Sequence, residues 1–192
     1  SKVAAFACSV ASVAVLTLSA SAAKLDVNKD NYDLKDGVVN IVATKVELSL
    51  EDLKAANYEV DYDFDIQGNT GFGPSGMKLV YPSTLTRVKV DDEIAVLGAV
   101  GDKLDPYITE NANDEKDGKT PNVSSGSTKL KNVTIDGTLF TTRFKLPETA
   151  KAGDTFEMKV MVDKFLDADN HAVAYNALDG YIKIIGETTA AT

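Results

Sequence analysis

Tryptophan is absent, and cysteine and histidine occur once each, as Cys8 and His171. A single cysteine forms no internal disulfide and no cysteine-based metal centre. One histidine, with no Gly-x-Ser-x-Gly pattern beside it, leaves the nucleophile–base arrangements of serine and cysteine hydrolases without their parts. Cations are scarce too: 20 Lys and Arg stand against 29 Asp and Glu, a net charge of −9, and Arg87 and Arg143 are the only arginines. That balance argues against nucleic acid and anionic membranes as partners. The one long apolar run, Val3 to Leu18, is shorter than the roughly 20 residues needed to span a bilayer.

What is present begins with that run. Lys2, the apolar stretch and Ala20-Ser21-Ala22 form a charged, an apolar and a small-residue region in the order of a secretory signal peptide, assigned to residues 1–22. Its removal takes away Lys2 and Cys8, so the mature protein has no thiol and one more unit of negative charge. Residues 23–37 read as an acidic leader. Within it Asp26, Asn28 and Asp30 mimic a calcium loop, but Asn31 stands where glycine is needed and Gly37 where a bidentate carboxylate is needed, and calcium is rejected there.

From residue 38 onward the pattern is that of strands. Val38–Leu48 is β-branched, and Ser49 three residues before Asp52 predicts an N-capped turn of helix over Ser49–Asn57. Tyr58–Ile66 alternates strictly, with Tyr58, Val60, Tyr62, Phe64 and Ile66 on one face and Glu59, Asp61, Asp63 and Asp65 on the other. Same-face neighbours on a strand lie about 7 Å apart, too far to chelate one ion together, so the carboxylate row is expected to be a solvated face. A glycine-rich turn from Gly68 leads into Met77–Tyr81, whose Met77, Leu79 and Tyr81 face inward. Leu85–Val100 holds a strand or two broken at Asp91-Asp92-Glu93, and Gly101–Thr128 reads as a long polar surface excursion. Lys129–Ile135, Gly137–Leu146, Thr155–Phe165, His171–Tyr175 and Gly180–Ile185 are further strands. Eight or nine short strands with almost no helix indicate an all-β protein, an antiparallel β-sandwich.

The order of several marks along residues 38–186 resembles the cohesin modules of cellulosomal scaffoldins, in their divergent ruminococcal form. These marks are Ile66-Gln-Gly-Asn-Thr-Gly-Phe72, Leu79-Val-Tyr-Pro-Ser-Thr-Leu85, Asp136-Gly-Thr-Leu-Phe140, Ala150-Lys-Ala-Gly-Asp-Thr155 and Leu178-Asp-Gly-Tyr-Ile-Lys-Ile184. Tyr81-Pro82 departs from the family's usual Tyr-Asp, and the Ser49–Asn57 and Gly101–Thr128 segments are long for it. Residues 187–192 are left as a C-terminal tail. The resemblance implies a nine-stranded jelly roll without a catalytic site or cofactor of its own. One sheet face would bind the dockerin of an enzyme or scaffoldin, and calcium would belong to that partner. By strand position the implied contacts are Gly76, Lys78 and Val80; Lys129, Lys131, Thr134 and Gly137; and Asn170, His171 and Val173.

Other chemistry finds less support. Asp167 and Asp169 flank a turn and could hold a structural cation, but turn chemistry accounts for them, and no metal site is assigned. Asn122-Val-Ser and Asn132-Val-Thr are formal glycosylation sequons. The alternative function is a carbohydrate-binding module of a secreted polysaccharide-degrading system. Such modules stack sugars on exposed aromatics; with no tryptophan, and with Tyr58, Tyr62 and Tyr81 facing inward, Tyr107 and Tyr175 are the candidates for that work. An extracellular location follows from the signal peptide.

Overall fold

The computed structural model describes residues 31–112 and 120–186. The signal peptide, the Asp26–Asp30 pattern and the tail at 187–192 lie outside the described residues. In chain order the elements are β1 (Val39–Ala43), β2 (Lys45–Ser49), α1 (Leu50–Ala55), β3 (Glu59–Gln67), β4 (Ser75–Val80), β5 (Thr86–Val88), β6 (Val96–Leu97), α2 (Ala99–Leu104), β7 (Tyr107–Asn111), β8 (Asn122–Ser127), β9 (Gly137–Lys145), β10 (Thr155–Phe165), β11 (Tyr175–Leu178) and β12 (Gly180–Ile185). They form two six-stranded sheets. The first runs β11-β1-β3-β9-β5, with β6 also paired to β9; the second runs β2-β12-β10-β4-β8-β7. Pairings are antiparallel except β1 with β11 and β12 with β2. Among the described residues no helix is long and apolar enough to cross a membrane.

The sandwich is the one the alternation predicts, and its inward residues form one core. Val60, Tyr62, Phe64 and Ile66 of β3 are buried with Met77 and Leu79 of β4, Phe140 and Phe144 of β9, Met158 of β10 and Ile182 of β12. Tyr81 reaches across to Phe144, ring centroids 4.9 Å apart. The expected jelly-roll sandwich is present, and among the described residues it comprises twelve strand segments, partly because long segments divide. The Val38–Leu48 segment is two strands, β1 in the first sheet and β2 in the second, parting at Thr44.

That parting is a fixed corner. The Tyr62 hydroxyl donates to the Thr44 carbonyl at 2.5 Å, the Tyr181 amide donates to the same carbonyl at 3.2 Å, and the Thr44 hydroxyl donates to the Asp63 carbonyl at 2.8 Å. Gly180 passes so close that a Cβ there would lie 2.1 Å from the Ala43 carbonyl oxygen and 2.2 Å from that of Thr44. Only glycine fits. After β2 the expected cap is in place: the Ser49 hydroxyl accepts from the Asp52 amide at 3.0 Å, and α1 buries Leu53.

Two expectations are corrected. Asp63 and Asp65 are not solvated; they are 1% and 0% exposed. The outer side of β3 is covered by the chain itself. Asp63 accepts from the Thr141 hydroxyl, and Asp61 takes both Arg143 Nε and Nη2, at 2.7 and 3.2 Å, beneath the segment around Ile94. The described part of the acidic leader packs there too: Tyr32 is buried and its hydroxyl accepts from the Lys45 amide at 2.7 Å. Alternation could not show this, because a carboxylate covered by a loop and one open to water look alike in sequence.

The second correction concerns the polar excursion. Gly101–Thr128 contains the end of α2 and both β7 and β8, two whole strands of the second sheet. They were unreadable because their inward positions include few large apolar groups. Ile108 and Val123 pack on the core, but the buried side of β8 is otherwise Ser125 and Ser127. Conversely, Lys129–Ile135 and His171–Tyr175 are not strands: apart from single bridges at Val133 and Ala172 and the first residue of β11, they are loops.

The corner generates a stability prediction. Gly180→Ala forces a methyl group into two carbonyl oxygens and should cost about 3 kcal/mol or more. Tyr62→Phe, which removes one hydroxyl in a buried site, should cost about 1–3 kcal/mol. Urea denaturation of both variants measures the difference.

Candidate functional site

With the first sheet partly covered by its own connections, the broad open surface among the described residues is the outer face of β10-β4-β8-β7. The register places its residues in rows. Tyr107, Gly126 and Gly76 lie side by side, then Thr109, Ser124, Lys78 and Met161, then Asn111, Asn122, Val80 and Lys159. The middle of the face is therefore low, built of Gly76, Gly126 and Ser124, between Tyr107 at 83% exposure on one side and Met161 at 50% on the other. Lys78 stands in this furrow and pairs with Asp163 at 3.1 Å, a surface pair worth at most about 1 kcal/mol.

The glycines of the furrow are not required by the backbone. Neither has a left-handed φ; a Cβ on Gly126 would meet nothing within 4 Å, and one on Gly76 would make ordinary contact with Asp163. Glycine weakens a strand interior, and a common reason for it is close approach by another backbone.

The edge of this face is tied to the opposite sheet. Arg87 of β5, its side chain 3% exposed, pairs with Glu110 of β7 at 2.7 Å, and Glu110 also accepts from the Tyr81 hydroxyl at 3.2 Å. Burial, then the Glu110 carboxylate, pushes the Tyr81 phenol well above its ordinary range, so it stays a neutral donor. The sequence held no signal for this pair, since Arg87 and Glu110 sit in segments read separately as strand and loop.

The residues expected at the site divide. Gly76, Lys78 and Val80 are on the outer face of β4, although Val80 is nearly buried there. Lys129, Lys131 and Thr134 are on the loop after β8, and Thr134 lies beside Gly71. Gly137 opens β9 in the first sheet. Asn170 and His171 occupy the turn after β10, where Asn170 adopts φ of 64°, and Val173 packs against the core. Lys129, Lys131, Thr134, Asn170, His171 and Val173 thus lie on loops and not on sheet strands; the outer-face positions of β7, β8 and β10 are the ones that share a face with Gly76, Lys78 and Val80. Strand parity at Tyr107-Ile-Thr-Glu-Asn111 was the available signal for β7.

The Asp167, Asp169 and His171 groups come within 4.8 Å of one another, but Asp167 Oδ1 already accepts the amides of Asp169 and His171, both at 2.9 Å. The trio is explained as a hydrogen-bonded turn. The His171 amide is the main reason that the Asp167 carboxyl sits below its ordinary value.

Comparison with solved structures places this architecture. A type III cohesin from the cell-surface anchoring scaffoldin of Ruminococcus flavefaciens superposes with a TM-score of 0.59, at 18% identity over 85% of this chain and 94% of that one. The fold is the cohesin fold. A type I cohesin–dockerin complex from Clostridium thermocellum gives 0.58 at 15% identity, covering 78% of this chain and all (100%) of that chain. A non-cellulosomal cohesin from Archaeoglobus fulgidus gives 0.56 at 15% identity, covering 78% and 92%. No protein-family model and no curated protein sequence matches. The cohesin fold is thus recovered at 15–18% identity.

Two predictions test these local structures. Replacing Arg87 by Met strands the Glu110 carboxylate and should lower stability by roughly 3 kcal/mol, whereas Arg87→Lys should recover only part of it; chemical denaturation reads both. Because the Asp167 carboxyl is held below its usual value of about 4, its support of the turn is complete above that pH and is lost as pH falls through the folded value. The Asp169 and His171 amide signals in NMR should move together over that acid range, and Asp167→Asn should abolish the movement.

Proposed function

We propose that the chain is a non-catalytic, extracellular protein-docking module that binds a dockerin on the outer face of β10-β4-β8-β7, recruiting dockerin-bearing enzymes or scaffoldins in cellulosome assembly. The observation that carries this reading is the furrow: two glycines that the fold does not need lie on the open face, flanked by an exposed tyrosine and an exposed methionine. Such a surface admits a helix closely and gives it aliphatic and aromatic contact, the pattern of small centre and apolar flanks that favours tight packing. Lys78 and Lys159 add donors in an acidic protein, which favour orientation and encounter with a complementary partner. The cohesin fold supports the partner class, since solved relatives of that fold from Clostridium thermocellum and Acetivibrio cellulolyticus are complexes with dockerins. Calcium is assigned to the dockerin. Export follows from the residues 1–22 signal.

Calorimetric titration against a dockerin panel, with calcium and then with chelator, tests the reading: binding to at least one member, lost with chelator, is expected, and no binding to any member sinks it. Gly126→Tyr fills the furrow with a good strand former. It should leave thermal stability unchanged or raised while lowering dockerin affinity at least tenfold.

Carbohydrate binding is the second reading, favoured by one observation: Tyr107 also lines a groove of about 470 Å³ with Lys89, Asp92, Glu93 and Asp105. A pull-down on cellulose and xylan separates the two. Retention that Tyr107→Ala abolishes would favour sugar; retention by neither polymer would remove it.

A further inference from the structure

The loop after β8 is irregular yet held at many points. Val133 exchanges backbone hydrogen bonds with Phe72 at 2.8 and 3.2 Å. Asn69 donates to the Ile135 carbonyl at 2.9 Å and to Asp136 Oδ1 at 2.8 Å. The Ala168 amide donates to Asn132 Oδ1 at 2.8 Å, and the Lys129 amide donates to the Ser127 hydroxyl at 3.1 Å. Gly73 presses so close that a Cβ there would lie 2.4 Å from the Lys129 carbonyl oxygen. A loop fixed in this way binds without a large ordering cost.

What it presents is unusual for this protein. Lys129 and Lys131, with Lys103 from α2, surround a pocket of about 270 Å³ with Val133 and Ile135 in its wall, and Leu130 between the two loop lysines is 72% exposed. The net charge is −9, yet none of these three ammonium groups has an ion-pair partner among the described residues. Three lysines without an ion-pair partner among the described residues, lining one pocket with Val133 and Ile135, fit a carboxylate-bearing ligand with an aliphatic flank. Solubility does not explain them, because 29 acids already supply surface charge. The position adds a further constraint: Lys129 lies two residues beyond the end of β8, where Ser127 pairs with Ser75, so the pocket borders the Gly76–Gly126 end of the docking face.

We propose that this pocket is a second contact for the docked protein partner, taking an acidic segment whose carboxylates flank an aliphatic side chain. As a dockerin contact it rests on the docking reading; as a site for acidic peptide it does not. Two measurements test it. In the first, Lys103→Glu, Lys129→Glu and Lys131→Glu are combined, with circular dichroism to verify folding, and titrated with a dockerin that binds the wild type. Affinity should fall at least tenfold and its salt dependence should flatten, whereas wild-type affinity with wild-type salt dependence overturns the proposal. In the second, isotopically labelled protein is titrated with an amphipathic helical peptide carrying two glutamates around a leucine, and with its glutamine counterpart. Amide shifts at Lys103 and Lys129–Ile135 with the glutamate peptide alone are expected. Equal shifts with both peptides, or none, overturn the site. Shifts without any dockerin binding would instead mean that the pocket stands and the docking reading fails.

Discussion

The constraint on which the rest depends is the corner at Thr44. One segment has to serve both sheets, so the chain must turn between them without leaving buried polar backbone unpaired. It does so by giving the Thr44 carbonyl two donors, the Tyr62 hydroxyl and the Tyr181 amide, and by spending a glycine, Gly180, on the tight crossing. Because β1 pairs with β3 on one side of the corner and β2 with β12 on the other, the spacing and relative rotation of the sheets are set there. The core residues of β3, β4, β9 and β10 then meet across a gap whose width is already decided.

A second closure works at the far edge. Arg87 and Glu110 join β5 to β7, with Tyr81 held neutral against the same carboxylate. The Thr44 corner and this ion pair clamp the two margins of the sandwich. The four strands of the open face are therefore carried on a frame fixed at both sides, and the furrow between Tyr107 and Met161 has a defined shape before any partner arrives.

Much of this was legible in sequence wherever burial is written as alternation. β3, β9, β10 and β12 are strands where the residues said they would be, and Ser49 caps α1 as its spacing to Asp52 required. The likeness was legible too, read from the order of turn and strand marks along residues 38–186, and the fold superposes on solved cohesins at 15–18% identity. Legibility failed where the core accepts small polar groups. Ser125 and Ser127 of β8 are buried but look like loop residues, so that strand was read as part of a loop, and Lys129–Ile135, read as a strand, is the loop that follows it. It failed also for Asp63 and Asp65, whose cover comes from distant segments.

The covering of those two aspartates bears on how many partners one domain can hold. A β-sandwich has two broad outer surfaces, and a symmetric one would offer two equivalent bays. Here the segment around Ile94 and the residues near Tyr32 pack beside one of them, the Ile94 carbonyl accepting from Arg87 and Thr142 and the Tyr32 hydroxyl from the Lys45 amide. The remaining sheet surface is single. Among the described residues the domain therefore has a front, the open face of the second sheet, and a back, the covered face of the first.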